Sequence, residues 1–420
     1  MKKQNGPARW LQSVGLYIAV FFRWALIGAV IGILGGAIGT LFHFCIKHAA
    51  AFRMANPWTL WLMPVGGLLI ALMYTATKTP LGTDNVLRAV RSDEKIPALL
   101  APLIFVSTVI TQFVGGSAGR EGAAIQIGGT LGYQAGRLFK LSEKDRHVLV
   151  MCGACSVFSA VFSTPITAAV FALEVISVGE FYYVALVPCV ISGIVANEFS
   201  NLCGIGPEVF PAIAVPQLAA VPALLIVLLA ALCGGISILF CLALHNGEKL
   251  AHAGIKNAYL RILAGSAILI GLTLLVGSRD YNGAGMAQIL GAVGGRARPE
   301  AFALKMVFTV VTIATGFRGG EIVPSMFVGA TLGCVFGQLL GLDPGFCAAV
   351  GLVALFCAMV NCPMASVFLG LELFGAGGLA YFALAAAVSY MLSGYYGLYG
   401  GQKLIYSKLH AEFINIYTRL

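Results

Sequence analysis

Residues 115–123 read Gly115-Gly116-Ser117-Ala118-Gly119-Arg120-Glu121-Gly122-Ala123, a glycine-dense break between an apolar run ending near Val114 and another beginning near Ala124. Glycines let the chain unwind there. A helix that restarts at membrane depth points unpaired N–H groups and the positive end of its dipole into a cavity, and such an end suits an anion. Glu121 stands in the break, where an ionisable side chain is costly and demands a reason. A carboxylate in that place can occupy an anion's site and leave it on protonation, which would make it a gate, a proton carrier or both. A local Arg120–Glu121 ion pair is the plainer account, but adjacent residues on a helix do not face each other.

The chain around this break is built for a bilayer. Of its 420 residues only 10% are charged, against about 25% in soluble domains. The 26 basic and 17 acidic residues are too few to cover a soluble surface of that size. A mean hydropathy of +0.91 agrees. Cytosolic enzymes, nucleic-acid binders and disordered scaffolds are poor readings of such a composition. Apolar runs recur at about 14–46, 58–76, 98–114, 124–139, 148–176, 183–203, 217–245, 260–277, 301–317, 322–341, 345–374 and 379–395. They are continuous rather than alternating, so the expected fold is an all-α polytopic membrane protein. Several are shorter than the roughly 20 residues of a perpendicular span. With 52 glycines and 16 prolines, many helices must be broken, tilted or closely packed.

The net charge of +9 does not imply nucleic acid. Lys2, Lys3 and Arg9 lie at one end, Lys403, Lys408 and Arg419 at the other, and Lys140, Lys144 and Arg146 in a loop, without a basic stripe interleaved with aromatics. That placement suits the positive-inside rule with both termini cytoplasmic. The run from Val14 to Cys45, interrupted by Arg23, is too long for a signal core and reads as a retained helix. Most of the eleven cysteines lie in apolar stretches, so Cys152 and Cys155 read as small buried hydrophobes rather than a metal or redox pair. Neither a cofactor nor a metal site is expected.

The halves repeat. Ile127-Gly128-Gly129-Thr130-Leu131-Gly132 is matched 201 residues later by Val328-Gly329-Ala330-Thr331-Leu332-Gly333. Ser163-Thr164-Pro165 with Glu174 is matched 198 residues later by Asn361-Cys362-Pro363 with Glu372. Shared offset and order indicate duplication, a common construction among transporters. One domain over residues 1–420 is expected, with a first repeat at about 30–200, a second at about 220–395, a polar hinge near Asn246–Asn257 and no C-terminal regulatory domain. The counterpart of the first break is Gly316-Phe317-Arg318-Gly319-Gly320-Glu321-Ile322-Val323-Pro324, where a proline near the first turn suits a helix start. Glu321 is either part of an anion site or a plain dipole partner. Glu174 and Glu372 fit a structural role, satisfying backbone N–H groups across the bundle. Gly115-x-Ser117-x-Gly119 also matches a nucleophile elbow, which would make Ser117 the nucleophile of an intramembrane serine hydrolase, with His147, His245 or His252 as base. The strand-to-helix setting of that motif is missing.

These residues together resemble the chloride-channel (CLC) family of anion channels and anion/proton antiporters. The marks are Gly119-Arg120-Glu121-Gly122 followed by Ile125-Gln126-Ile127-Gly128-Gly129, the Pro165…Glu174 segment, Gly320-x-x-x-Pro324, and a tyrosine in the last segment, over about residues 25–405. The resemblance implies a homodimer with one pore per subunit, each subunit being two inverted repeats of tilted and partial helices meeting at a central anion. It implies transport rather than enzymatic activity, in the cell inner (plasma) membrane, with chloride or another small halide, possibly protons, and the lipid bilayer as partners.

Carried over residue by residue, Glu121 matches the gating, proton-carrying glutamate, with Gly119, Arg120 and Gly122 forming its loop. Gly320, Glu321 and Ile322 fall where backbone amides meet the anion. Thr83 keeps the hydroxyl of the family's usual serine, and the pore tyrosine is Tyr399 or Tyr406. The family's usual Gly-Ser-Gly-Ile-Pro is Gly82-Thr83-Asp84-Asn85-Val86 here, and Val175 stands in place of the internal glutamate of many antiporters. Gly319-Gly320-Glu321 and the ending at 393–402 resemble the fluoride/proton antiporter branch, which also lacks that glutamate. Thr83 is the chloride-like choice, so chloride is the expected ion and fluoride/proton exchange the alternative.

Overall fold

The computed structural model describes residues 7–79, 82–92 and 94–419, so Lys2 and Lys3 lie outside the described residues. Among them are sixteen α-helices in two sets of eight. The first set is α1 (Pro7–Ala55), α2 (Met63–Thr77), α3 (Thr83–Ala89), α4 (Leu100–Val114), α5 (Glu121–Leu138), α6 (Glu143–Phe162), α7 (Pro165–Glu174) and α8 (Leu186–Leu202). The second is α9 (Ala220–Gly254), α10 (Ala258–Val276), α11 (Met286–Val293), α12 (Ala301–Thr315), α13 (Ile322–Leu340), α14 (Pro344–Val360), α15 (Pro363–Phe374) and α16 (Leu379–Leu392). Both sets open on their longest helix and have their shortest as the third member. Seven helical segments are long and apolar enough to cross a membrane, and the shorter apolar ones reach only part of the way.

The same chemistry ends the matched helices. Gly115 (φ +94°) stops α4 and Gly316 (φ +114°) stops α12, both in the left-handed region that glycine tolerates. Ser163 (φ +58°) and Asn361 (φ +56°) end α6 and α14, and Pro165 and Pro363 then open α7 and α15 at the position where a missing N–H costs nothing. Small residues bring the core helices close. A Cβ on Gly128 of α5 would stand 2.1 Å from the Gly153 carbonyl of α6, and one on Gly329 of α13 would stand 2.3 Å from that of Gly351 on α14. Each half therefore buries an equivalent tight pair, with α14 wholly inside.

Glu174 at the end of α7 accepts from the Met364 and Ala365 N–H groups of α15 (3.1 and 2.8 Å). Glu372 of α15 accepts from those of Ile166 and Thr167 on α7 (2.9 and 2.8 Å). This exchange makes the two carboxylates structural caps and marks the dyad relating the halves.

Three features differ from the sequence reading. The runs 148–176 and 345–374 are two helices each, broken at the proline motifs. Asn246–Asn257 is not a hinge: α9 continues through it to Gly254, its polar residues marking the end of a helix that has outrun the apolar layer, and residues 203–219 join the halves. The chain also forms a small sheet, with β1 (Ser177–Val178) parallel to β2 (Lys403–Tyr406) and β2 antiparallel to β3 (Phe413–Tyr417). Gln402 fastens it to the bundle by donating to the Val175 and Val360 carbonyls (3.0 and 2.8 Å).

Candidate functional site

The two glycine breaks meet. Gly119 donates to the Gly320 carbonyl (2.6 Å) and Gly320 to that of Gly119 (2.8 Å), an antiparallel bridge across the dyad. The chain directions oppose each other there, as inverted repeats require. Threonines of the preceding helices hold each break: Ser117 N–H donates to Thr312 Oγ1 (3.0 Å) and Arg318 N–H to Thr111 Oγ1 (3.2 Å). Helices α5 and α13 start from this crossing with their unpaired N–H ends at the centre.

Glu121 is fully buried there. Its Oε2 accepts from Arg120 N–H (2.9 Å) and from Val323 N–H (3.3 Å), in the first turn of α13. The carboxylate of one half thus occupies the positive helix end of the other. Oε1 has no hydrogen-bond partner among the described residues, which leaves it free to take a proton. Arg120 does not pair with it side chain to side chain; its guanidinium turns to His43 Nδ1 (3.3 Å).

The space beside Gly122 gathers the other groups. A Cβ there would stand 3.2 Å from Gly320 Cα, 3.4 Å from Thr83 Oγ1 and 3.7 Å from Glu321 Oε2. Gln126 Nε2 donates to Thr83 Oγ1 (3.2 Å), so the threonine's own proton remains to be given elsewhere. Tyr399 is buried, with a hydroxyl unpartnered among the described residues and with Glu121 and Glu321 in electrostatic reach. Thr83, Glu321 and the Gly320 backbone thus gather beside Gly122. On one side a cavity of about 710 Å³ leads to Glu121, its wall carrying Lys47, Arg53, Arg120 and Arg279 together with the acids Glu208 and Asp280.

Glu121, Thr83, Gly119, Arg120, Gly122, Gly320, Glu321 and Ile322 are brought together; Tyr406 is not. It lies on β2, half exposed, with its ring against Phe413 (5.9 Å), because the last segment is a hairpin rather than a helix. Ser117 Oγ bonds to Thr309 Oγ1 (3.0 Å) and His245 Nδ1 to the Cys241 carbonyl (2.8 Å), so each of these two side chains is held by another partner. Gln126, Gln402 and Lys305 escaped the sequence reading. A lysine inside the apolar run 301–317 was the available signal for the last.

The family described as voltage gated chloride channel matches residues 75–394. The chain is 34% identical over 408 residues to the chloride/fluoride channel protein of Pseudomonas syringae pv. tomato, covering 94% of this chain and 88% of that protein. It is 27% identical to the H(+)/Cl(-) exchange transporter ClcA of Vibrio parahaemolyticus, over 84% of this chain and 82% of the relative. Among solved structures, a CLC-type fluoride/proton antiporter superposes with a TM-score of 0.87 at 30% identity, covering 91% of this chain and 98% of that one. A slow cyanobacterial Cl-/H+ antiporter superposes at 0.77 and 17% identity over 88% and 94% of the two chains, a likeness of fold alone.

Proposed function

The chain belongs to the voltage-gated chloride channel (CLC) family of anion transporters, and on that premise we propose that it exchanges fluoride for protons across the membrane, with Glu121 as both gate and proton carrier. One observation carries the reading: the Glu121 carboxylate caps α13 through Val323 N–H, with Oε1 unpartnered among the described residues. Ionised, Glu121 occupies the anion's place. Protonated at Oε1, it loses its attraction for the helix end and yields that end to an anion. One proton and one anion then use the same site in turn.

Fluoride is small and strongly hydrated, so it needs several donors to replace its water. Thr83, Tyr399, the first N–H groups of α13 and two carboxyl groups that become O–H donors when protonated make such a set. The structure described as a fluoride/proton antiporter, at 30% identity, supports this ion over the chloride expected from Thr83, while the relative at 34% is named for chloride and fluoride together. Chloride/proton exchange is the second reading, favoured by the Thr83 hydroxyl with its proton free. We further place the protein in the inner membrane as a homodimer with both termini cytoplasmic.

Purified protein in liposomes, followed by fluoride and pH electrodes together, tests the proposal. An imposed fluoride gradient should drive protons uphill, faster than chloride does. Fluoride flux with no linked proton movement would make the protein a channel; neither ion moving would refute transport.

A further inference from the structure

Lys305 is the one lysine among the described residues that is fully buried, and it lies in α12 within the apolar layer with no carboxylate at ion-pair distance. An intramembrane lysine without a carboxylate partner calls for a function. Its ammonium donates to the carbonyls of Gly283 (2.6 Å) and Tyr281 (3.2 Å) and sits 5.2 Å from the centre of the Phe327 ring on α13. The loop it holds reaches the gate break: Gly283 N–H donates to the Gly116 carbonyl (3.0 Å) and Asn282 Nδ2 to that of Gly115 (2.9 Å). Lys305, Thr309 and Thr312 share one face of α12, at i, i+4 and i+7. The two threonines hold Ser117 directly.

We infer that Lys305 is a positioning residue for the gate, fixing residues 281–283 and through them Gly115 and Gly116, so that Glu121 arrives at the first turn of α13. The inference rests on the transport reading for its functional half. The groups around it are Arg53 from α1 and the neutral Tyr281, Gly283 and Phe327. The amine is held by two carbonyl acceptors and a ring face. A neutral side chain of similar length would therefore let the loop relax.

Lys305→Met, Lys305→Arg and Asn282→Leu in liposomes, with amide hydrogen exchange over residues 115–123, test this. We expect Lys305→Met to lower the protons moved per fluoride about fivefold, the size of one lost hydrogen bond. Amides 116–121 should exchange about tenfold faster. Lys305→Arg, keeping charge and donors, should recover the ratio, which a merely structural role would not require. Asn282→Leu leaves the lysine alone and should move both readouts in the same direction. Unchanged ratio and exchange in Lys305→Met, or in Asn282→Leu if the former does not fold, overturns the inference. Should the unsubstituted protein move no fluoride, transport fails as a reading and the exchange rates alone decide the positioning.

Discussion

Where the two halves cross, the same backbone bond is made twice, Ser117 N–H to Thr312 and Arg318 N–H to Thr111, yet the side chains around it do not correspond. Positions 201 residues apart pair Glu121 with Ile322, Arg120 with Glu321, Ser117 with Arg318 and Ile104 with Lys305. Scaffold chemistry, meaning threonines, glycines and prolines, survives on both sides of the dyad. Charge does not. A symmetric frame can place two helix ends at one point, but a gate must come from one side only. If Ile322 were a carboxylate as well, two acids would compete for one N–H cluster. The asymmetric residues are therefore where function is to be sought, and the symmetric ones where stability is.

The comparison breaks most visibly at Glu121. Glu121→Gln should cut linked proton movement by about a hundredfold or more, the usual scale for losing a proton-transfer group. Its nearest symmetric substitution, Ile322→Val, should leave coupling within about twofold, since it trims one methylene from a buried site. Paired fluoride and pH recordings read both. Equal effects would mean that the carboxylate is not the asymmetric element.

Gly119 and Gly320 sharpen the contrast, because they are mates in one bridge. A Cβ on Gly119 would stand 2.1 Å from Glu121 Oε2, the mobile end of a side chain. One on Gly320 would stand 2.5 Å from Gly122 N and 3.0 Å from Glu121 N, which are backbone. Gly320→Ala should thus destabilise by about 1–3 kcal/mol and lower all transport. Gly119→Ala should displace the gate, leaving anion flux while proton coupling falls. Thermal unfolding in detergent beside the flux assay distinguishes them.

Glu174 and Glu372 test the symmetric side. Each carboxylate accepts two backbone N–H groups across the dyad, and replacement by Gln leaves one donor poorly matched, at a cost of about 1.5–3 kcal/mol for bonds to a charged group. Glu372 also accepts from Thr167 Oγ1 and should show the larger loss. Neither variant should change the ratio of protons to fluoride in protein that folds. A changed ratio in one alone would move that residue into the transport path.

What the chain disclosed in advance follows the same division. The repeat, its matched proline motifs and the correspondence of Glu174 with Glu372 were legible, because local chemistry recurs at a fixed offset. Glu121 stood out because charge is scarce in apolar runs. That its carboxylate caps α13 rather than a helix of its own half was not legible, since hydropathy says nothing about which helix ends meet. Lys305 was visible as a charge within a run, but its partners are carbonyls of a distant loop, and carbonyls leave no mark in a sequence. The C-terminal sheet was hidden for a related reason: β1 is two residues long, and its pairing with β2 depends on Gln402 reaching Val175.

The smallest expected effects concern the two tyrosines offered for the pore. Both follow the last helix, so spacing does not choose between them. Tyr399 is buried, its hydroxyl unpartnered among the described residues and in electrostatic reach of Glu121 and Glu321, and Thr418 Oγ1 donates to its carbonyl (2.5 Å). Tyr406 is 50% exposed on β2. Removing the hydroxyl from Tyr399 takes one donor from the anion and should weaken fluoride binding about fivefold, roughly 1 kcal/mol. Tyr406→Phe removes a solvated hydroxyl and should stay within about 0.5 kcal/mol of the unsubstituted protein. Isothermal titration with fluoride measures both. A larger loss at Tyr406 would mean that the hairpin folds over the anion path rather than beside it, and the dyad would then have a third asymmetric element outside the repeats.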